Sequence, residues 1–145
     1  MVESWIFYGL FASLFFGINA VVYKVAAVNG GLNPYYAGVF YAAGIFITVL
    51  VAYLLKFSAP TTNYKWLGLA LIAGVIWGLG FIMTAVAISN HADISRLAPL
   101  YNTNTLIAVI LGVVLLKEIP SAASVWRVVL GAVLVVAGSI LVSIK

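Results

Sequence analysis

Residues able to do chemistry gather in one short stretch, 96–105. Arg96, Pro99, Tyr101, Asn102, Thr103, Asn104 and Thr105 interrupt a run that is otherwise apolar as far as Leu116. From Tyr101 to Thr105 five consecutive side chains end in a polar group. At about 100° per helical residue, five in a row wrap more than a full turn. They cannot all face one partner helix, so some must meet water or a cavity. Pro99 has no backbone N–H and frees the carbonyl four residues earlier, at Ser95. The sequence therefore predicts a helix break or kink at Pro99. The competing reading is that the cluster serves only hydrogen bonding between helices.

Smaller polar groups recur elsewhere. Asn19 and Tyr23 share a helical face by their spacing of four, and Lys24 follows directly. Lys24 either joins that face or lets its head group reach an interface. Trp77 and Thr84 stand two turns apart, as do Tyr41 and Thr48. A ring such as Trp77 can pack or stack, and Thr48 can bond the backbone of its own helix. Catalysis finds little to work with. The acids are Glu3, Asp93 and Glu118, all at predicted helix ends or in loops, and His91 stands alone in a connection. No serine has a base and orienting partner, and no phosphate-cradling glycine motif occurs. The absence of cysteine excludes disulfides, thiol catalysis and Cys-ligated zinc. The expectation is a protein that is not an enzyme and uses no cofactor or metal. The seven basic residues form no patch, so nucleic acid is not an expected partner.

The elements that must position these groups follow from the charge map. Residues 4–23, 25–55, 66–92, 97–116 and 128–144 carry no formal charge. A bilayer core about 30 Å thick needs roughly 20 apolar residues as a helix. Charged residues are 7% of the chain, against about a quarter in soluble domains, so no polar shell could cover a soluble core. The fold class predicted is an all-α integral membrane protein with five spans, at about 4–27, 34–56, 64–88, 94–116 and 121–144. Residues 1–145 read as one domain. Asn29-Gly30-Gly31-Leu32-Asn33-Pro34 ends the first span, and Pro34 suits the first turn of the second. Residues 58–63 form a polar turn containing Pro60, residues 89–93 a short connection, and 117–120 close the fourth span; Ser121 is a candidate cap for the fifth. Solid apolar blocks without period-two alternation argue against a β-barrel. Trp5, Tyr8, Tyr35, Tyr36, Tyr53, Tyr64, Trp66 and Trp126 fall near these boundaries, where amphipathic rings favour the interface. Glu3 stands where a cleaved leader would be basic, so the first segment reads as a retained span.

Five spans put the termini on opposite sides. Lys56, Lys65, Lys117 and Arg127 fall on the N-terminal side, and Lys24, Arg96 and Lys145 on the other. So even a split gives the positive-inside rule little to act on and permits insertion in both orientations; if Lys24 and Arg96 point inward, the N-terminus belongs inside. Small residues that let backbones approach recur as Gly9, Ser13, Gly17 and Ala20, as Gly38 and Ala42, and as Gly74 and Gly78. The last span carries a longer seam of Ser124, Val128, Gly131, Val135, Gly138 and Val142. Packing within the chain is one reading; a dimer contact through Val128, Gly131, Val135 and Gly138 is the other.

The stretches Leu97-Ala98-Pro99-Leu100-Tyr101, Leu111-Gly112-Val113-Val114-Leu115-Leu116-Lys117-Glu118, Trp126-Arg127-Val128-Val129-Leu130-Gly131-Ala132 and Val136-Ala137-Gly138, in this order, resemble the end of an EamA-type repeat of the drug/metabolite transporter superfamily. Phe16-Gly17-Ile18-Asn19 with Lys24 resembles its first helix. Members are built from two five-helix repeats in inverted orientation. One repeat here implies an antiparallel homodimer that rebuilds a ten-helix unit. The resemblance implies a small-solute permease of the inner or plasma membrane working by alternating access. Its cavity maps onto Trp77, Thr84, Arg96, Tyr101, Asn102 and Asn104, with Asn19 and Lys24 nearby. Basic groups without acidic partners favour an anion or zwitterion such as an amino acid. The last span also resembles the dimerisation helix of small multidrug exporters, but the first span has no mid-helix carboxylate, which weighs against export of cationic drugs. The alternative from another class is a non-transporting membrane subunit of a larger complex.

Overall fold

The backbone follows the apolar blocks because lipid leaves it no other choice. Without water, each peptide N–H and C=O must be bonded within the segment, which a helix achieves. A computed structural model describes residues 4–56, 64–118 and 122–144, with the side chains of Ser4, Trp5, Ala122, Ala123 and Ser124 excepted. The expected turn at 58–63, the cap at Ser121, and Glu3, Pro120 and Lys145 lie outside the described residues. The helices are α1 (Ser4–Lys24), α2 (Pro34–Leu55), α3 (Tyr64–Ser89), α4 (Ile94–Tyr101), α5 (Asn104–Val114) and α6 (Ala122–Ser143). Five segments among the described residues are long and apolar enough to cross a membrane, the fourth running Ile94–Val114 through α4 and α5. The all-α, five-span membrane class is thereby established.

The spans end where the sequence supplies the chemistry for ending them. α1 passes into a π-helical turn, Val25–Asn29, and closes with the N–H of Gly31 on Val28 O (3.2 Å) and that of Leu32 on Ala27 O (3.0 Å). This is a Schellman closure, whose left-handed position is filled by Gly31 at φ +59°. Asn33 caps α2: its Oδ1 accepts from the N–H of Tyr35 (2.9 Å) and of Tyr36 (3.3 Å), while Pro34 occupies the first turn, where no N–H is needed. At the start of α3, Lys65 Nζ lies 5.3 Å from the Trp66 ring. Near the start of α6 the Arg127 guanidinium lies 5.6 Å from the Trp126 ring. Both pairs suit a boundary where rings and cations share the head-group region.

Two compact units emerge, Met1–His91 and Ala92–Lys145. In the first, α2 packs along α3, and the π-helical turn touches α1, α2 and α3. Small side chains let these backbones close: Ala20, Ala27, Ala37, Gly38 and Ala85 are buried, and Ile88 is the largest side chain fully enclosed among the described residues. In the second, α6 packs on both α4 and α5. Its inner face carries Ala132 and Ser139, both buried, with Ser139 Oγ donating to Val136 O (2.8 Å). The adjacent face of α6 keeps Gly131, Val135, Gly138 and Val142 exposed, while Val128 turns half-buried toward the packed side.

Candidate functional site

The fourth span is interrupted, and the interruption corrects the expected position. Pro99 lies within α4, and the helix gives way at Asn102 and Thr103. There the N–H of Thr103 bonds Leu100 O (3.2 Å), that of Thr105 bonds Asn102 O (3.1 Å) and that of Leu106 bonds Thr103 O (3.0 Å), so α-type bonding tightens to a three-residue step. Side chains share in this. Thr103 Oγ1 donates to Leu100 O at 2.8 Å, and Thr105 Oγ1 donates to Asn102 O. Hydroxyls that compete for backbone groups favour such a turn over continued helix, and the break lies at Asn102 and Thr103, three residues past the proline. Polar tips that seemed to require water are thus in part consumed locally. Asn102 and Asn104 are exposed, and Arg96 and Tyr101 are half-buried on α4. Asp93 begins α4 with an extended backbone, and its carbonyl accepts from the N–H groups of Arg96 (3.0 Å) and Leu97 (2.8 Å).

In the first unit, polar and aromatic side chains converge. Asn19 Nδ2 donates to Tyr41 Oη at 2.8 Å, joining α1 to α2. The Tyr41 ring lies over Phe81 of α3, centroids 4.3 Å apart and planes within 3°. Trp77, one turn earlier on α3, is within 9° of both planes and about 6 Å from both rings, at 6.0 Å from Tyr41 and 5.9 Å from Phe81. Tyr23 meets Tyr41 and Phe81 edge-on, at 5.6 and 5.2 Å, and its hydroxyl donates to Pro34 O at 3.5 Å. Gly38 makes room for Phe81, since a Cβ there would stand 3.2 Å from its Cε1.

A family model, that of the EamA-like transporter family, matches residues 3–144. The chain belongs to this family. No curated protein and no solved structure matches it. Membership in the EamA-like family, together with five apolar spans, makes this a multi-pass membrane protein of a kind that moves small solutes.

Of the residues singled out in this EamA-like chain, Asn19 and Trp77 both contact the Tyr41 ring system. Lys24 is half-buried at the end of α1, where the π-helical turn begins. Thr84 spends its hydroxyl on Gly80 O (3.1 Å), as Thr48 does on Gly44 O (2.9 Å). Arg96, Tyr101, Asn102 and Asn104 form a separate series along the interrupted fourth span. Phe81 was not legible as part of a site, being one apolar ring in an apolar run. Its signal is relational: it follows Trp77 by four residues, and it fills the space that Gly38 leaves.

Proposed function

We propose that the chain is a permease for small anionic or zwitterionic solutes, amino acids among them, in the cell membrane, and that its 145 residues act as one five-span unit. The observation that carries this reading is the interrupted fourth span, with Asn102 and Asn104 exposed beside the break and Arg96 half-buried one to two turns before it. Interrupted spans supply polar groups to solute pathways in transporters. Arg96 and Lys24 attract a carboxylate, Asn102 and Asn104 orient the solute, and Trp77, Tyr101, Asn19 and Thr84 shape its surroundings. The solute-facing role of each is part of the proposal.

Two copies in opposite orientation work by alternating access. The exposed Gly131, Val135 and Gly138 of α6, with Val128 at the edge of that face, support a contact with a second copy, because the opposing face of α6 is already occupied by its own unit. The test is solute flux into proteoliposomes. Flux should saturate with solute concentration and fall at least tenfold in the Asn102→Leu/Asn104→Leu/Arg96→Gln variant; flux that survives all three changes removes the site assignment. Orientation is read separately. Single cysteines at Asn90 and Lys117, in a chain with no native cysteine, are labelled from outside with an impermeant reagent. Partial labelling at both, completed on permeabilisation, supports the antiparallel pair. Labelling at one position alone gives every copy a single orientation and moves the non-transporting subunit to the front.

A further inference from the structure

One end of the α2–α3 pair gathers positive charge and aromatic rings with nothing acidic to answer them. α2 ends at Leu55, α3 begins at Tyr64, and the two pack along each other, so Lys56 and Lys65 come to the same end of the pair. Both side chains are exposed. Residues 4–92 contain no Asp or Glu. Stability of α3 does not explain Lys65, because a cation in the first turn of a helix opposes its dipole. Its ammonium lies 5.3 Å from the Trp66 ring, and Trp66 and the neighbouring Tyr64 are both exposed. At the end of a membrane span such rings sit at head-group level, and a lysine side chain is long enough to carry its charge there too. The end of α5 and start of α6 differ in charge, since Glu118 directly follows Lys117 before Arg127 is reached.

We propose that this end of the α2–α3 pair binds the head group of an anionic phospholipid, its phosphodiester drawn to Lys56 and Lys65 and its glycerol backbone lying against Trp66. Charge complementarity selects the occupant. Two lysines in an acid-free segment attract a head group of net negative charge. A zwitterionic head group brings a cation along with its phosphate, which the same lysines repel. A soluble anion has no acyl chain to hold it beside rings at the membrane boundary. The surface lies apart from the residues assigned to the solute, and the inference holds whether or not the chain moves one.

The experiment is quenching of tryptophan fluorescence by lipids with brominated chains. The full chain is placed in phosphatidylcholine vesicles in which a rising fraction of the lipid is brominated phosphatidylglycerol or, separately, brominated phosphatidylcholine. The Trp66 contribution is the difference between the wild type and Trp66→Phe, and the Trp126 contribution is obtained in the same way with Trp126→Phe. A basic side chain near an anionic lipid is worth roughly fivefold. At low salt, phosphatidylglycerol should therefore bind beside Trp66 at least about fivefold more tightly than phosphatidylcholine, and the preference beside Trp126 should be smaller. The Trp66 preference should fall toward one in Lys56→Gln/Lys65→Gln, and in about 1 M sodium chloride, where screening acts over about 3 Å. Quenching by brominated phosphatidylcholine should stay the same in that variant, which shows that it is inserted as the wild type is. A wild-type ratio near one at Trp66 overturns the inference without any lysine variant, and equal ratios at Trp66 and Trp126 overturn its placement at the α2–α3 end. A preference unchanged in the inserted double variant removes the lysines from the site. Displacement of brominated phosphatidylglycerol by millimolar inorganic phosphate, but not by equal ionic strength of chloride, overturns the lipid as occupant in favour of the free anion.

Discussion

Replacing Gly38 by alanine should press directly on the ring cluster. The added methyl would stand 3.2 Å from Phe81 Cε1 and 3.8 Å from Ile82 Cδ1. Carbon atoms rest at about 3.5–4.0 Å, so the first contact is too close by several tenths of an ångström. Phe81 has little freedom to yield, with Tyr41 stacked on it at 4.3 Å and Tyr23 against it at 5.2 Å. Overpacking costs about 1–3 kcal/mol, whereas alanine in place of a helical glycine returns about 1 kcal/mol. A net loss of about 1 kcal/mol follows, roughly a fivefold fall in the folding equilibrium constant. Gly78 is the control, on α3, with nothing within 4 Å of its would-be Cβ. Gly78→Ala should be neutral or stabilising by up to about 1 kcal/mol, so the two variants should differ by about 2 kcal/mol with identical chemistry. Titration from mixed micelles into sodium dodecyl sulfate, followed by circular dichroism, measures both. In a Phe81→Leu background the Gly38→Ala penalty should shrink, because the atom it strikes is gone. Equal stabilities for Gly38→Ala and Gly78→Ala would refute the close approach and, with it, the fixed position of Phe81.

The same titration checks three further expectations. Asn33→Ala removes the acceptor for the N–H groups of Tyr35 and Tyr36 and should cost about 1 kcal/mol, with Asn33→Asp recovering most of it. His91 holds φ +63° after the end of α3, so His91→Gly should stabilise by about 1 kcal/mol by relieving a left-handed backbone. A double-mutant cycle of Asn19→Leu and Tyr41→Phe should return a coupling of about 0.6 kcal/mol, and at most about 1.7, for the 2.8 Å bond between them; a coupling of zero would mean that the pair does not meet in the membrane.

Span number and boundaries were legible because they rest on composition and on local turn chemistry, both of which act over a few residues. The segments Ile6–Asn29, Pro34–Leu55, Tyr64–Ser89 and Ile94–Val114 agree with the apolar blocks to within a few residues. Family membership was legible from short apolar motifs in the right order. Finer features depended on competition the sequence does not display. Pro99 is the break the sequence predicts, yet the proline ring is carried inside α4, and the helix gives way three residues later, where the Thr103 and Thr105 hydroxyls bond backbone carbonyls. The sequence predicts helix in the first span to about residue 27, and its last turn is π-helical instead, where the closure reaches back from Gly30 to Ala26 and from Leu32 to Ala27. Trp77 was visible as an unusual mid-span ring, but its partners were not. A stack across two helices needs the register between them, which Gly38 and Phe81 set jointly.

The two departures from regular α-helix stand next to the polar groups singled out for function, and elementary energetics gives a reason. An unbroken transmembrane helix satisfies every backbone group internally and presents lipid with side chains alone. It can be stable, but it has no backbone donors or acceptors to offer a solute. Irregularity is costly in hydrocarbon unless nearby polar side chains or a polar cavity compensate it. Such side chains occur at both places here. The π-helical turn begins directly after Tyr23 and Lys24, nearly two turns beyond Asn19, and beside the tightened turn at Asn102 and Thr103 the Thr103 and Thr105 hydroxyls bond backbone carbonyls. On regular segments a lone hydroxyl is satisfied by its own helix, as Thr48 and Thr84 show by bonding Gly44 O and Gly80 O. Their concentration beside the irregular turns is what a solute pathway requires and what packing alone does not.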